Sequence, residues 1–248
     1  MQSPGRCPGI VPALPDQRVP QGVVVRGGAA ATEVQTSLGA QSVTSAPIAA
    51  LVASYLLGAI PTSFLAGKAF KRIDLREHGS KNLGATNVYR LMGWRYAIPV
   101  GIFDVAKGAV PVLIIGPAVS TLGWFPLACG VMAVVGHVFS VFVGFRGGKG
   151  VATSAGVVLG LAPMAVGICL VIWALIVWVS GYVSLGSVVA TGVFPALVWV
   201  LYPARRESIW LYGLLAAVII WMHRSNIRRL ANGTENRFGR HAKGADSA

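Results

Sequence analysis

Charge is what this sequence is shortest of. Only 12% of its 248 residues are charged, and 8 acidic residues face 21 lysines and arginines. A soluble domain carries about 25% charged residues. The shortage is concentrated: from residue 151 to 204 there is no Asp, Glu, Lys or Arg. An uncharged run that long exceeds the roughly 20 residues one helix needs to cross a bilayer, so it holds more than one span. That excludes a soluble globular fold. Cysteine is scarce as well. Cys7, Cys129 and Cys169 are odd in number and lack CxxC spacing, which leaves no disulfide framework and no cysteine zinc site. The GxxxxGK[ST] pattern of a nucleotide-hydrolysing loop is also absent.

What is present is basic and apolar. Mean hydropathy is +0.66 and the formal net charge is +13. The lysines and arginines sit in short segments between apolar runs, without the aromatic interleaving of a nucleic-acid binder. Anionic lipid and phosphorylated ligands are the partners this pattern fits, and nucleic acid is not. Residues 1–45 are rich in Gly, Pro, Val, Ser and Ala and have no hydrophobic periodicity or signal-peptide pattern. They read as a disordered extension, and 240–248 as a disordered polar tail, flanking a membrane domain over 46–239.

Apolar runs near 47–67, 96–115 and 122–143 predict three spans, and runs at 151–180, 183–201 and 208–222 follow. The segment 68–95 holds seven lysines and arginines (Lys68, Lys71, Arg72, Arg76, Lys81, Arg90, Arg95) against Asp74 and Glu77. The positive-inside rule puts it in the cytoplasm and the N-terminus outside. Arg146 to Gly150 then falls inside as well. Three further crossings would leave the basic segment from His223 outside, against the same rule. Splitting 151–180 near Gly160–Pro163 restores the parity, because proline lacks an N–H and restricts the residue before it. The expectation is an all-α polytopic transmembrane bundle of seven helices, one of them short or broken near Gly160–Pro163, with a five-span arrangement that omits two helices as the alternative. Its N-terminus is external and its C-terminus cytoplasmic.

Polar residues gather in three of the predicted cytoplasmic segments. Residues 79–90 read Gly-Ser-Lys-Asn-Leu-Gly-Ala-Thr-Asn-Val-Tyr-Arg. A turn followed by an interfacial helix explains them, and so does a headgroup site built from Ser80, Asn82, Asn87 and Arg90. In Arg146-Gly147-Gly148-Lys149-Gly150, three glycines flank a lysine directly before a helix, which can aim backbone N–H groups and an ammonium at a phosphate. The plainer alternative is a flexible interhelical loop. His223 and Asn226, three apart, share a helix face and suit a proton-handling or substrate-orienting pair, although a lone interfacial His is more often structural. Within the second span, Asp104 and Lys107 at i, i+3 predict an ion pair that also lines a site, with His137 similarly placed.

These segments, in this order and separated by apolar spans, resemble the acyl-phosphate-dependent glycerol-3-phosphate acyltransferases of bacterial membranes over roughly 47–239. The resemblance takes in Gly58-Ala59-Ile60-Pro61-Thr62-Ser63, residues 79–90, Asp104-Val105-Ala106-Lys107-Gly108 and Gly136-His137-Val138-Phe139. It continues through 145–153, Tyr182-Val183-Ser184-Leu185-Gly186-Ser187 and 223–235. Three positions depart from the family pattern: Lys81 stands where Gly is usual, Leu83 where Pro is usual, and Ser225 where Glu is common.

The resemblance implies transfer of a fatty acyl group from acyl phosphate to the 1-hydroxyl of glycerol 3-phosphate, the first acylation of bacterial phospholipid synthesis. It requires no cofactor and no metal. The implied catalytic residues are Ser80, Arg90, Lys149, His223 and Asn226. The implied substrate-binding residues are Asn82, Asn87, Lys107, Gly147, Gly148, Gly150 and Ser187. The expected partners are the two substrates and membrane lipid, with the chain acting as a monomer in the bacterial plasma membrane and its site on the cytoplasmic side. A transporter of a phosphorylated solute is the alternative, disfavoured because no matching polar set or internal repeat lies on the external side.

Overall fold

The computed structural model describes residues 45–238, and those residues contain helices and loops only. The extension expected over 1–45 (all but Ser45) and the tail over 240–248 lie outside the described residues.

Helix α1, Ser45–Lys71, is broken at Ile60–Pro61, and its last turn, Gly67–Lys71, widens to π geometry. A connecting loop leads to the short surface helix α2, Ala85–Met92, which ends at Gly93 with φ +85°. Then follow α3, Trp94–Val119, with a π segment at Pro111–Ile115, and α4, Phe125–Val138. After a returning loop come α5, Val151–Leu159; α6, Pro163–Ser180; and α7, Val183–Leu201. The chain closes with α8, Ile209–Met222, and α9, Arg224–Ala231, which bend by 55° at His223.

Five helices, α1, α3, α6, α7 and the span Phe125–Val143 that contains α4, are long and apolar enough to cross a membrane. The bent pair Pro203–Met222 and Arg224–Ala231 is a sixth candidate. The expected break falls where proline chemistry puts it, between Leu159 and Pro163. Helix α5 has nine residues and is about 14 Å long at 1.5 Å per residue, less than half of a hydrocarbon core of about 30 Å. It is covered by protein: Thr153, Gly156, Val157 and Val158 are buried. The outer surface is apolar, and Trp178 and Val179 on α6 are 83% and 79% exposed, as suits side chains that face lipid tails.

Close helix crossings rest on glycine. A Cβ on Gly108 of α3 would lie 2.0 Å from the Thr153 carbonyl, and one on Gly156 of α5 1.9 Å from that of Val105. Without side chains there, the two backbones touch, the small-residue packing that membranes favour because lipid supplies no hydrophobic drive between helices. The main core joins α4 to α8 through Leu127, Val134, Val157, Val166, Phe194, Val198 and Tyr212. A second cluster, Leu75, Leu83, Val88, Met92, Val100 and Val143, seats the 72–84 loop and α2 against α3.

Candidate active site

One cavity of about 410 Å³ collects most of the sequence-predicted residues. Ser80, Asn82, Asn87, Arg90, Lys149, Gly150, Ser187, His223 and Asn226 all line it. Its other end is apolar, walled by Val166, Leu170 and Trp173 of α6, Phe194 of α7, and Leu215 and Ile219 of α8. A polar head and a hydrocarbon tail therefore share one enclosure, the shape of an amphiphile.

Two loops build the polar head, and each is fixed by contacts that sequence alone disguises. In the first, the Asn87 side chain is fully buried. It donates to the Leu75 and His78 carbonyls at 3.1 and 3.2 Å and accepts the Ser80 N–H at 2.9 Å. Asn87 borders the cavity, and its amide also folds the loop that presents Ser80. Gly79 has φ +61°, and a Cβ there would stand 2.4 Å from Asn87 Oδ1. The next residue, Lys81, also has positive φ, +55°. That left-handed conformation explains why glycine is usual at this position. Leu83, in place of the usual proline, is buried in the second core cluster. Ser225 is exposed.

In the second loop the Gly147 N–H donates to the Val138 carbonyl at 3.0 Å, and the Gly148 N–H to that of His137 at 3.1 Å. These amides are not open to an anion, and neither glycine lines the cavity. The expectation of a phosphate nest at Gly147 and Gly148 is corrected. Their glycine character is a packing requirement, since a Cβ on Gly147 would lie 1.9 Å from the His137 carbonyl. One on Gly148 would lie 2.2 Å from both His137 Nε2 and the Leu83 carbonyl. The contact with Leu83 brings the two loops together, and Lys149 and Gly150 of one line the same cavity as Ser80 and Asn82 of the other. Gly150, φ +81°, opens α5.

Lys107 is also misplaced by the sequence reading. Its ammonium is buried, 2.8 Å from Asp104 and 2.9 Å from the Ile60 carbonyl, while Thr62 donates to Asp104 at 2.6 Å. Lys107 ties α3 to the break in α1 and does not line the cavity, although its partner Asp104 and nearby His137 do.

Across the cavity, α9 and the segment after it carry a relay of polar groups. Lys149 Nζ donates to Asn226 Oδ1, and Asn226 Nδ2 donates to Glu235 Oε1 at 2.7 Å. Ser184 donates to the same oxygen at 2.9 Å, and Arg229 holds the other at 2.7 Å. Buried Glu235 and Ser184 line the cavity and are absent from the sequence-predicted set. An acid in a basic terminal segment of an acid-poor chain was the available signal. His223 Nδ1 lies 2.8 Å from the Ile219 carbonyl. A carbonyl only accepts, so Nδ1 carries the proton and Nε2 is left as the acceptor. The Ser187 hydroxyl donates to the Val183 carbonyl at 2.9 Å and receives the Trp173 indole N–H at 3.3 Å.

The head is electropositive: Arg90 and Lys149 line it with Glu235 as counter-charge. Burial pushes the Lys149 ammonium down to about 8, Glu235 opposing and Arg229 and Arg90 adding to the fall. Burial also lowers Arg90, again against Glu235. Two cations with a single carboxylate between them, in a cavity that is otherwise largely apolar, suit a lipid-like anion.

Comparison with known proteins points the same way. The family profile described as glycerol-3-phosphate acyltransferase matches residues 48–233. A glycerol-3-phosphate acyltransferase of Chlorobaculum tepidum is 41% identical over 227 residues, covering 78% of this chain and 97% of the relative. One from Chlorobaculum parvum is 40% identical with the same coverage. Among solved structures, the glycerol 3-phosphate form of PlsY (YgiH), an integral membrane glycerol 3-phosphate acyltransferase, superposes with a TM-score of 0.73 at 37% identity. That match covers 78% of this chain and 96% of that one. Its lysophosphatidic acid form gives 0.69 at 36%, over 78% and 95% of the two chains.

Proposed function

The chain belongs to the glycerol-3-phosphate acyltransferase family of integral membrane proteins, and from that premise we propose that it takes its acyl group from an acyl phosphate, at the cavity between Lys149 and α6–α8. It is an acyltransferase of phospholipid synthesis. The observation that carries the donor assignment is the continuity of a cationic head with an apolar groove. An acyl phosphate places one phosphate at the head and its chain in the groove, and glycerol 3-phosphate brings a second phosphate beside the first. Arg90 and Lys149 supply a cation for each.

The reaction then asks little covalent chemistry of the protein. An acyl phosphate is a mixed anhydride and is already activated. The 1-hydroxyl of glycerol 3-phosphate adds to the carbonyl carbon, and the C=O pair moves onto oxygen. On collapse the bond to the phosphate oxygen breaks, and the leaving phosphate takes up the hydroxyl proton to become inorganic phosphate. His223, its ring locked through Nδ1, accepts a hydrogen bond from the attacking hydroxyl at Nε2 and orients it. Asn226, held by Glu235, keeps the Lys149 ammonium turned toward the phosphates. Catalysis on this reading is positioning and charge stabilisation. The basic head belongs to the cytoplasmic face of a bacterial plasma membrane, in keeping with the lysines and arginines of 68–95 and 223–229.

The test is phosphate release from palmitoyl phosphate by purified protein, with and without glycerol 3-phosphate. Release that depends on the acceptor and is lost in Lys149→Ala supports the reading. No release by folded wild type at any chain length refutes it. His223→Gln, which retains an acceptor, keeps much of the turnover if His223 only orients the hydroxyl, whereas His223→Ala does not.

A further inference from the structure

Serines inside membrane helices ordinarily satisfy themselves. In this chain Ser54 donates to the carbonyl of Ala50 at 2.7 Å, Ser180 to that of Ile176 at 2.6 Å and Ser187 to that of Val183 at 2.9 Å, each four residues back. Ser154 breaks the pattern. Its side chain is 6% exposed and its Oγ has no hydrogen-bond partner among the described residues. The carbonyl four residues back, that of Gly150, accepts the Ser154 N–H at 2.7 Å but not the hydroxyl. A buried hydroxyl without a partner costs about 1–3 kcal/mol, and native structures seldom leave one so without a functional reason. Thr153 Oγ1 is also unpartnered, but Thr153 does not line the cavity. Ser154 does, in company with Gly150, Val151, Ala152 and Ala155.

Its place within the cavity is specific. Ser154 Oγ lies 3.9 Å from where a Gly150 Cβ would be. It therefore stands one helical turn from the residue beside Lys149, and Val158, one turn further on, belongs to the apolar wall. No side chain caps α5, so the N–H groups of its first turn point the same way with the positive end of the helix. In an acyl phosphate the carbonyl is the group between the phosphate and the chain.

We propose that Ser154 and the first turn of α5 form the binding site for the acyl carbonyl oxygen, with the Ser154 hydroxyl donating a hydrogen bond that strengthens as that oxygen becomes an oxyanion. This rests on the acyl-transfer reading above. The serine keeps its proton throughout. As the acceptor hydroxyl adds, the C=O pair shifts to the oxygen facing Ser154; on collapse the pair returns and the bond to phosphate breaks. The hydroxyl without a partner in the free protein gains one when the donor binds.

The experiment compares wild type, Ser154→Ala and Ser154→Thr by acceptor-dependent phosphate release from palmitoyl phosphate, together with thermal unfolding of the substrate-free protein. Ser154→Ala lowers kcat about tenfold, the rate equivalent of one hydrogen bond. KM for glycerol 3-phosphate stays unchanged, because the acceptor phosphate does not touch this hydroxyl. The melting temperature does not fall, since an unsatisfied group has been removed. Ser154→Thr, which retains a hydroxyl, recovers most of the rate. Wild-type kcat in Ser154→Ala overturns the proposal, and so does a loss of kcat matched by a loss of thermal stability. Wild type that releases no phosphate defeats the acyl-transfer reading itself, an outcome distinct from either.

Discussion

The pH dependence of Lys149 offers the sharpest test of the electrostatics. Its ammonium sits in a head where burial dominates, lowering it from 10.5 to about 8; Glu235 resists, while Arg229 and Arg90 push further down. The sign follows directly. The cation is present below that value and is lost as pH rises through it, so kcat/KM declines on the alkaline side. With a pKa of about 8, roughly nine-tenths of the free enzyme carries the charge at pH 7, half at pH 8 and about a tenth at pH 9. Between pH 7 and 9 kcat/KM should therefore fall about tenfold, a change of roughly 1.4 kcal/mol in transition-state stabilisation. The phosphate groups do not contribute to this limb, because their second ionisation, near pH 6, is complete before it begins. Bound phosphate favours the ammonium, so the limb for kcat lies at higher pH than that for kcat/KM. The assay is initial-rate phosphate release at limiting substrate from about pH 6.5 to 9.5, with enzyme-free blanks to subtract donor hydrolysis. Lys149→Arg is the control. Arginine cannot deprotonate in this range, so its profile should be flat at whatever absolute rate the altered geometry allows. A wild-type profile flat to pH 9.5, or the same limb in Lys149→Arg, would refute the assignment.

Two other substitutions separate packing from chemistry. Lys107→Met leaves the Asp104 carboxylate buried with Thr62 and the His137 ring but no lysine beside it, and breaking such a pair costs about 3–5 kcal/mol. Its unfolding temperature in detergent should drop sharply while KM for glycerol 3-phosphate holds in whatever fraction stays folded; the reverse pattern would return Lys107 to the binding site. Lys81→Gly relieves a left-handed residue that costs about 1–2 kcal/mol, offset by up to about 1 kcal/mol of added unfolded-state entropy. It should raise the melting temperature, and Lys81→Ala should not.

Much of the fold was written in composition and punctuation. The uncharged run from 151 to 204 demanded several spans, and the need to keep basic segments on one side located the break that α5 and α6 display. Motif order found most of the cavity's polar head. What the sequence concealed was direction. An i, i+3 spacing put Asp104 and Lys107 on one face of α3 without saying that Asp104 meets the cavity while Lys107 turns to the Ile60 carbonyl. Glycines beside a lysine suggested exposed amides, whereas Gly147 and Gly148 serve close contact with His137 and Leu83. Nor did the sequence show that the Asn87 amide makes three hydrogen bonds within its own loop. The apolar end of the cavity left no trace either. Its residues are as hydrophobic as those that face lipid, and only packing distinguishes an inward Phe194 from an outward Trp178.

The cavity draws its walls from Ser80 through Glu235, close to the full reach of the described chain. Glu235 is the last of them, and it holds the asparagine that holds Lys149. A ribosome feeding this protein into the bilayer delivers the cationic loop long before the carboxylate that steadies it. Until that carboxylate arrives, Lys149 lacks the Asn226–Glu235 support of the finished fold. The head is complete only once the segment after the final helix has come back to α7, where Ser184 donates to Glu235.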